Sequence, residues 1–196
     1  MDITAQMVKE LREKTGAGVM DCRKALASAE GSMAKAEVIL KEKGLRGPKD
    51  PTRATKQGLV ESYKHAGGQL GSLVELNCET DFVSRTDDFK QLAYEIALQI
   101  AAVEPKYVDR DSVPADAIEA RKAELAEQLS LAGTSPEELP AKLEARLAEW
   151  FKEVVLLEQA YVRDPKQTIS QLILSVASKT GENIRVGRFA RFKVGE

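Results

Sequence analysis

Apolar residues in the first 44 positions recur at helical spacing, in three runs separated by glycines. Ile3, Met7, Val8 and Leu11 share one face of a first helix, which Thr4 caps and Gly16 ends. Cys22, Ala25, Leu26 and Ala29 repeat the spacing in a second helix, stopped by Gly31. Met33, Ala36, Ile39 and Leu40 form a third stripe, between an N-cap at Ser32 and a stop at Gly44. Three short stripes can enclose one small core. A module of this size has little room for a pocket, so docking on another protein suits it better than chemistry.

The stretch LRGPKDPTRATKQ, residues 45–57, breaks the pattern. Its two prolines, glycine and charges favour neither helix nor strand, and it reads as a linker. Beyond it the period changes to two. Gly58–Lys64 (GLVESYK) and Leu70–Asn77 (LGSLVELN) read as strands. HAGGQ joins them as a hairpin, with Gly67 and Gly68 supplying the positive φ of a tight turn. Near the C-terminus, ENIRVGRFARFKVGE alternates Ile184, Val186 and Phe189, then Phe192 and Val194. This is a third strand with a bulge near Gly187.

Helical spacing returns between the second and third strands. Asp87–Val103 carries Phe89, Leu92, Ala93, Ile96 and Ile100. Pro114 starts a helix carrying Ile118, Leu125 and Leu129. Ser135-Pro136-Glu137-Glu138 opens another that runs to about Leu157, with Leu139, Leu143, Leu147 and Trp150 or Phe151 inward. A last helix spans Thr168–Lys179. The expected class is therefore α+β: three helices in 1–44, a linker in 45–57, and in 58–196 a three-stranded antiparallel sheet packed with helices.

Charge and composition narrow the function. The net charge is −2, with 31% charged and 43% apolar residues. This suits a folded soluble protein and argues against a dedicated nucleic-acid binder. Residues 45–56 carry four basic and one acidic side chain, a solvated connection rather than a binding patch. No apolar run reaches membrane-spanning length, and the charged N-terminus lacks a signal-peptide core. Cys22 and Cys78 are far apart, without CxxC spacing, so neither a disulfide framework nor a zinc site is expected, and a reducing cytoplasm is. A single histidine, His65, and no GxSxG or phosphate-binding loop give little support to an enzyme or a bound cofactor.

One stretch carries candidate chemistry: Asn77–Arg85, NCETDFVSR, at a strand-to-helix corner. Phe82 and Val83 either pack inward there or present an aromatic anchor on a turn. Glu79 and Asp81 are acids favoured by a helix dipole, or a general acid/base pair. Cys78 reads as a small buried hydrophobe and His65 as a surface residue at the hairpin tip.

Three stretches resemble one family. TGAGVMDCRKAL (Thr15–Leu26) is similar to the N-terminal signature of the elongation factor Ts family. LVELNCETDFVSR (Leu73–Arg85) resembles its second signature, and GENIRVGRFARF (Gly181–Phe192) its closing strand. The motifs stand in family order from about Ile3 to Val194, and the length resembles the short form with one core module. The resemblance implies a guanine nucleotide exchange factor for elongation factor Tu. It implies a UBA-like N-terminal module docking on that GTPase through Lys9, Arg12, Met20 and Arg23. It implies that Thr80, Asp81, Phe82 and Val83 displace magnesium from the GTPase's nucleotide site. It also implies a dimerisation-type core, and a short-form monomer would expose a sheet edge or face that needs cover, so a noncovalent homodimer through the sheet is expected. Ala190 stands where some short-form relatives carry a cysteine, so an intersubunit disulfide there is ruled out.

Two other classes compete. An adaptor for ubiquitin-like or nascent-chain partners would need only residues 1–44 and leaves the TDFV turn unexplained. A small hydrolase using Glu79, Asp81 and Cys78 lacks a nucleophile–base pair.

Overall fold

The computed structural model describes residues 3–43 and 52–196. The expected helix stop at Gly44 and most of the expected linker lie outside the described residues. The chain forms two compact units, Met1–Ala101 with Ser170–Glu196, and Ala102–Ile169.

The first unit opens with α1 (Ala5–Thr15), α2 (Val19–Ser28) and α3 (Met33–Glu42). Their ends follow local chemistry. Thr4 Oγ1 accepts from Met7 N at 3.2 Å, and Ser32 Oγ from Lys35 N at 3.4 Å, each satisfying a helix-start amide. Gly16 closes α1 in the left-handed conformation at φ 68°. The predicted stripes meet in one core of Val8, Leu11, Ala17, Cys22, Ala25, Leu26, Ala29, Ala36 and Leu40, with Ile3, Met7, Met33 and Ile39 packed against it.

The same unit holds the sheet. β1 (Gln57–Lys64) and β2 (Leu70–Cys78) pair antiparallel, and β2 pairs antiparallel with the C-terminal strand, giving the order β1–β2–C-terminal strand. Gly67 and Gly68 make the hairpin turn at φ 88° and 71°. The expected bulge is present: Glu75 pairs with Arg188 while Leu76 pairs with Val186, leaving Gly187 as the extra residue. A Cβ at Gly187 would stand 2.6 Å from Asn77 Oδ1, so the bulge also needs a glycine's bareness.

Alternation sorts the sheet into two faces. Ser72, Val74, Leu76 and Cys78 of β2 are buried, and Ser72 Oγ donates to the Ala97 carbonyl at 2.6 Å, tying this face to α5 (Asp87–Val103). Phe89, Leu92, Ala93, Ile96, Ala97 and Ile100 form the buried stripe of α5. Tyr63 meets Tyr94 edge-on at 5.8 Å between ring centroids. On the opposite face Val60, Leu73 and Phe192 remain exposed. Between β2 and α5 lies one short turn of helix, α4 (Asp81–Ser84).

The second unit carries α6 (Ala115–Leu131) and α7 (Leu139–Val154). Val113, Phe151 and Val155 form its core, with Ile118, Leu147 and Trp150 packed against it. The helix expected from Ser135 begins four residues later, at Leu139. Ser135–Glu138 form a turn in which the Ser135 carbonyl accepts from Glu138 N and Leu139 N. Pro140 then sits in the first turn, where a helix needs no amide donor. Arg110 lies 4.5 Å over the Phe151 ring and pairs with Glu158, Nη2 to Oε2 at 2.7 Å. A short pair of strands, β3 (Ala160–Tyr161) and β4 (Asp164–Thr168), was not expected. Then come α8 (Ile169–Thr180) and the sheet's last strand, β5 (Ile184–Lys193).

The three N-terminal helices are joined to α8. Gln171 Nε2 donates to both carboxylate oxygens of Asp21, at 3.0 and 2.9 Å, and Leu174 packs against the helical core. Among the described residues no helix is long and apolar enough to cross a membrane.

Candidate partner-binding site

The four residues Thr80–Val83 form the start and body of α4, and each has a separate task. Thr80 is the N-cap, its backbone extended and its Oγ1 3.5 Å from Val83 N. Val83 turns inward and is buried at 8% exposure. Phe82 turns outward and is 79% exposed, so the larger apolar side chain is the one left in water. Asp81 is engaged locally, its Oδ2 2.8 Å from Arg85 Nη2 one turn on. Ser84 Oγ donates to the Asp81 carbonyl at 2.9 Å, and Thr86 Oγ1 to the Val83 carbonyl at 2.8 Å.

The base of this turn is held by polar groups from the far end of the chain. Glu182 Oε2 accepts from the backbone N–H groups of Glu79 and Thr80 at 3.2 and 3.1 Å, and Glu182 Oε1 accepts from Thr80 Oγ1 at 2.6 Å. In return, Glu79 Oε1 accepts from Asn183 N at 2.9 Å and from Asn183 Nδ2 at 2.8 Å. Glu79 Oε2 lies 2.8 Å from Arg53 Nη1, and the Glu79 side chain is only 5% exposed. The enclosed Glu79 carboxylate thus holds the base of the turn through Asn183 and Arg53. Sequence reading passed over Glu182, Asn183 and Arg53. The available signal was two polar residues wedged between the helix-ending Gly181 and the start of a strand.

Cys78 is buried at the end of β2, with Sγ donating to the Thr80 carbonyl at 3.1 Å. Burial, and secondarily the Glu182 charge, push its thiol up to about 11, so it is protonated and unreactive near neutrality. His65 is exposed at the hairpin tip, with Nδ1 3.0 Å from the Tyr63 hydroxyl. Among the described residues no group of three or more His, Cys, Asp or Glu side chains is arranged to hold a metal.

Lys9, Arg12, Met20 and Arg23 are brought together. All four line one open groove of about 450 Å³ between α1 and α2, with Ile3, Ala5, Val8 and Val19. Met20 is 59% exposed, so it is a surface residue and not part of the helical core. The groove combines an apolar floor with three cationic side chains. That composition suits an apolar partner surface bearing acids.

Known proteins with similar sequences show which family the chain resembles. Residues 45–196 match the model of the family described as elongation factor TS. Elongation factor Ts of Heliobacterium modesticaldum is 51% identical over 196 residues, covering 99% of this chain and 91% of that protein. Elongation factor Ts of Fervidobacterium nodosum is 50% identical over 197 residues, covering all of both chains. The Solibacter usitatus protein of the same name is 47% identical over 197 residues, covering all of this chain and 92% of its own. The alignments with these three relatives span both the three-helix segment with its groove and the sheet that carries the Phe82 turn, while the family model covers the latter. This chain belongs to the elongation factor Ts family.

Proposed function

We propose that this chain is a guanine nucleotide exchange factor for elongation factor Tu, acting in the cytoplasm during translation elongation. The observation that carries the reading is Phe82: a large aromatic, 79% exposed, on a turn anchored by Glu182 and beside the buried Val83. Exposed aromatics on fixed turns serve as interface anchors, with truncation costs of about 2 kcal/mol or more.

The mechanism needs no covalent step. A P-loop GTPase holds its nucleotide through backbone amides, a lysine and a bridging magnesium ion. A protein that binds the nucleotide-free form more tightly weakens nucleotide affinity by the factor by which nucleotide weakens its own. In this reading Phe82 enters the GTPase beside the magnesium-side switch, Val83 fixes the turn beneath it, and Asp81 and Thr80 complete the contact. The groove at Lys9, Arg12, Met20 and Arg23 docks on the same GTPase and keeps the wedge in register. The three N-terminal helices are read as a UBA-like module, residues 45–57 as the linker and 58–196 as a dimerisation-type core. The exposed sheet face at Val60, Leu73 and Phe192 is read as the seat of a second copy, because an apolar face of this kind gains from cover.

The test is release of a fluorescent GDP analogue from elongation factor Tu in the presence of this chain. Acceleration that saturates with concentration supports the reading. Binding without acceleration contradicts it and favours an adaptor.

A further inference from the structure

The β2–β5 ladder ends at the pair Cys78–Ile184, four residues before Phe82. Past that pair the two chains have no ladder to hold them together, yet they stay joined for two more residues through side chains. Glu182 takes three hydrogen bonds from Glu79 and Thr80, and Glu79 takes two from Asn183. The partners are 102 to 104 positions apart in the chain. The ladder already sets the sheet, so what this crossed pair adds is the course of the segment leading into α4.

That segment decides where Phe82 points. A four-residue helix cannot maintain itself, because nucleation costs more than so few bonds return. Phe82 is exposed, so packing does not fix it either. Its direction therefore depends on what holds the turn, the buried Val83 on one side and the N-cap Thr80 at its start. Glu182 Oε1 accepts a hydrogen bond from the Thr80 hydroxyl at 2.6 Å, which turns an oxygen lone pair toward Val83 N. Glu182 Oε2 fixes the Thr80 peptide itself.

We infer that Glu182 is a positioning residue for nucleotide exchange: its carboxylate locks the Glu79–Thr80 backbone and the Thr80 cap so that Phe82 is presented to the GTPase already aimed. The inference rests on the exchange reading and deepens it. Glu182 acts through Phe82 and does not itself touch nucleotide or metal. Pre-aiming the anchor removes an ordering cost that the insertion of Phe82, once the chain has docked, would otherwise bear, so the loss is read in the plateau rate.

The experiment compares the full-length parent with Glu182→Ala, Glu182→Gln, Phe82→Ala and the Glu182→Ala/Phe82→Ala double variant. GDP release from elongation factor Tu is followed over a range of chain concentrations, giving a plateau rate and a half-saturating concentration for each. Glu182→Ala lowers the plateau rate about tenfold, the scale of losing a set of charge-assisted hydrogen bonds. Glu182→Gln restores most of it, to within about threefold, because a turned amide offers its oxygen to both backbone donors, although its NH2 cannot accept from the Thr80 hydroxyl. In the Phe82→Ala background, Glu182→Ala changes nothing further, since two residues on one route are not additive. Amide hydrogen exchange on the free proteins is the companion measurement. Glu182→Ala exposes the amides of Glu79 and Thr80 while those of Val74 and Leu76 stay protected.

A Glu182→Ala chain with the parental plateau rate overturns the inference, as does an equal further loss in the Phe82→Ala background. Loss of protection throughout β2 also overturns it, because Glu182 would then be holding the fold. If the parent itself fails to accelerate release, the exchange reading falls, and this inference with it. An active parent, a slow Phe82→Ala and an unaffected Glu182→Ala sink the inference alone.

Discussion

Phe82 and Val83 are neighbours with opposite fates: Phe82 is 79% exposed and Val83 is 8% exposed. Hydrophobicity alone would bury the larger ring, so its exposure has to be maintained by the backbone around it. Thr80 caps the turn, Asp81 pairs with Arg85, and Thr86 Oγ1 bonds the Val83 carbonyl, each from a different direction. The two side chains therefore predict opposite phenotypes. Val83→Ala removes buried methyls and lowers stability by about 1 kcal/mol, measured by urea denaturation, because it opens a small cavity. Phe82→Ala leaves stability within about 0.5 kcal/mol of the parent, as surface truncations do.

Gly58 is the most constrained glycine of the sheet. Its φ is 153°, and a Cβ there would stand 2.1 Å from the Leu76 carbonyl oxygen and 2.9 Å from Asn77 Cα. Neither atom can move without opening the β1–β2 ladder. Gly58→Ala is expected to cost about 2 kcal/mol or more, seen as a lower denaturation midpoint. An unchanged midpoint would mean that β1 shifts freely at this end.

Cys78 predicts a pH dependence. Its thiol is raised from an ordinary 9.0 to about 11 in the folded chain, chiefly by burial. The folded state thus holds the proton more tightly than the unfolded state. The resulting stability is fully present below about pH 9 and is lost as the pH rises through about 11. Denaturation series at pH 8, 9, 10 and 11, values chosen to bracket that window, should fall more steeply for the parent than for Cys78→Ala. Cys22, whose thiol burial also raises, contributes in the same sense and is common to both chains.

The open sheet face predicts an association. Val60, opposite Glu75 in the β1–β2 ladder, and Phe192 are exposed apolar residues on that face. Phe192→Asp should shift the chain from dimer to monomer in sedimentation equilibrium without altering its circular dichroism. A parent that sediments as a monomer at all accessible concentrations contradicts the homodimer.

The groove of the helical segment predicts a loss of affinity rather than of exchange chemistry. Met20→Glu and Arg23→Glu place acids beside Lys9 and Arg12 on an exposed surface. They should raise the half-saturating concentration for GDP release about tenfold, the effect of truncating an interface contact, while leaving the plateau rate near that of the parent.

How far the sequence could be read depended on where the deciding interactions lay. Local signals were reliable. The caps Thr4 and Ser32, the stop at Gly16 and the Gly67–Gly68 turn all depend on residues within a few positions of one another, and the glycine at 187 marks its bulge from within its own strand. The third strand was also legible, because alternation survives whatever the strand pairs with. The pair β3–β4 was not: Asp164-Pro165-Lys166-Gln167-Thr168 shows no apolar alternation, and backbone pairing rather than a buried face makes it a strand. At the site, the TDFV turn stood out by its composition. The crossed pair of Glu79 and Glu182 did not, since nothing in either segment announces a partner over 100 residues away. Exposure was equally hidden. The outward turn of Phe82 is the example: composition left it either packed inward or exposed, and only the folded turn decides.

The most direct test of the account is the rate of GDP release from elongation factor Tu with this chain and with Phe82→Ala, at saturating concentrations of each. The account predicts fast release by the parent and release slower by about thirtyfold or more for the variant, the rate equivalent of an anchor worth about 2 kcal/mol. Equal rates for the two chains would contradict it and move the cause of nucleotide release away from Phe82.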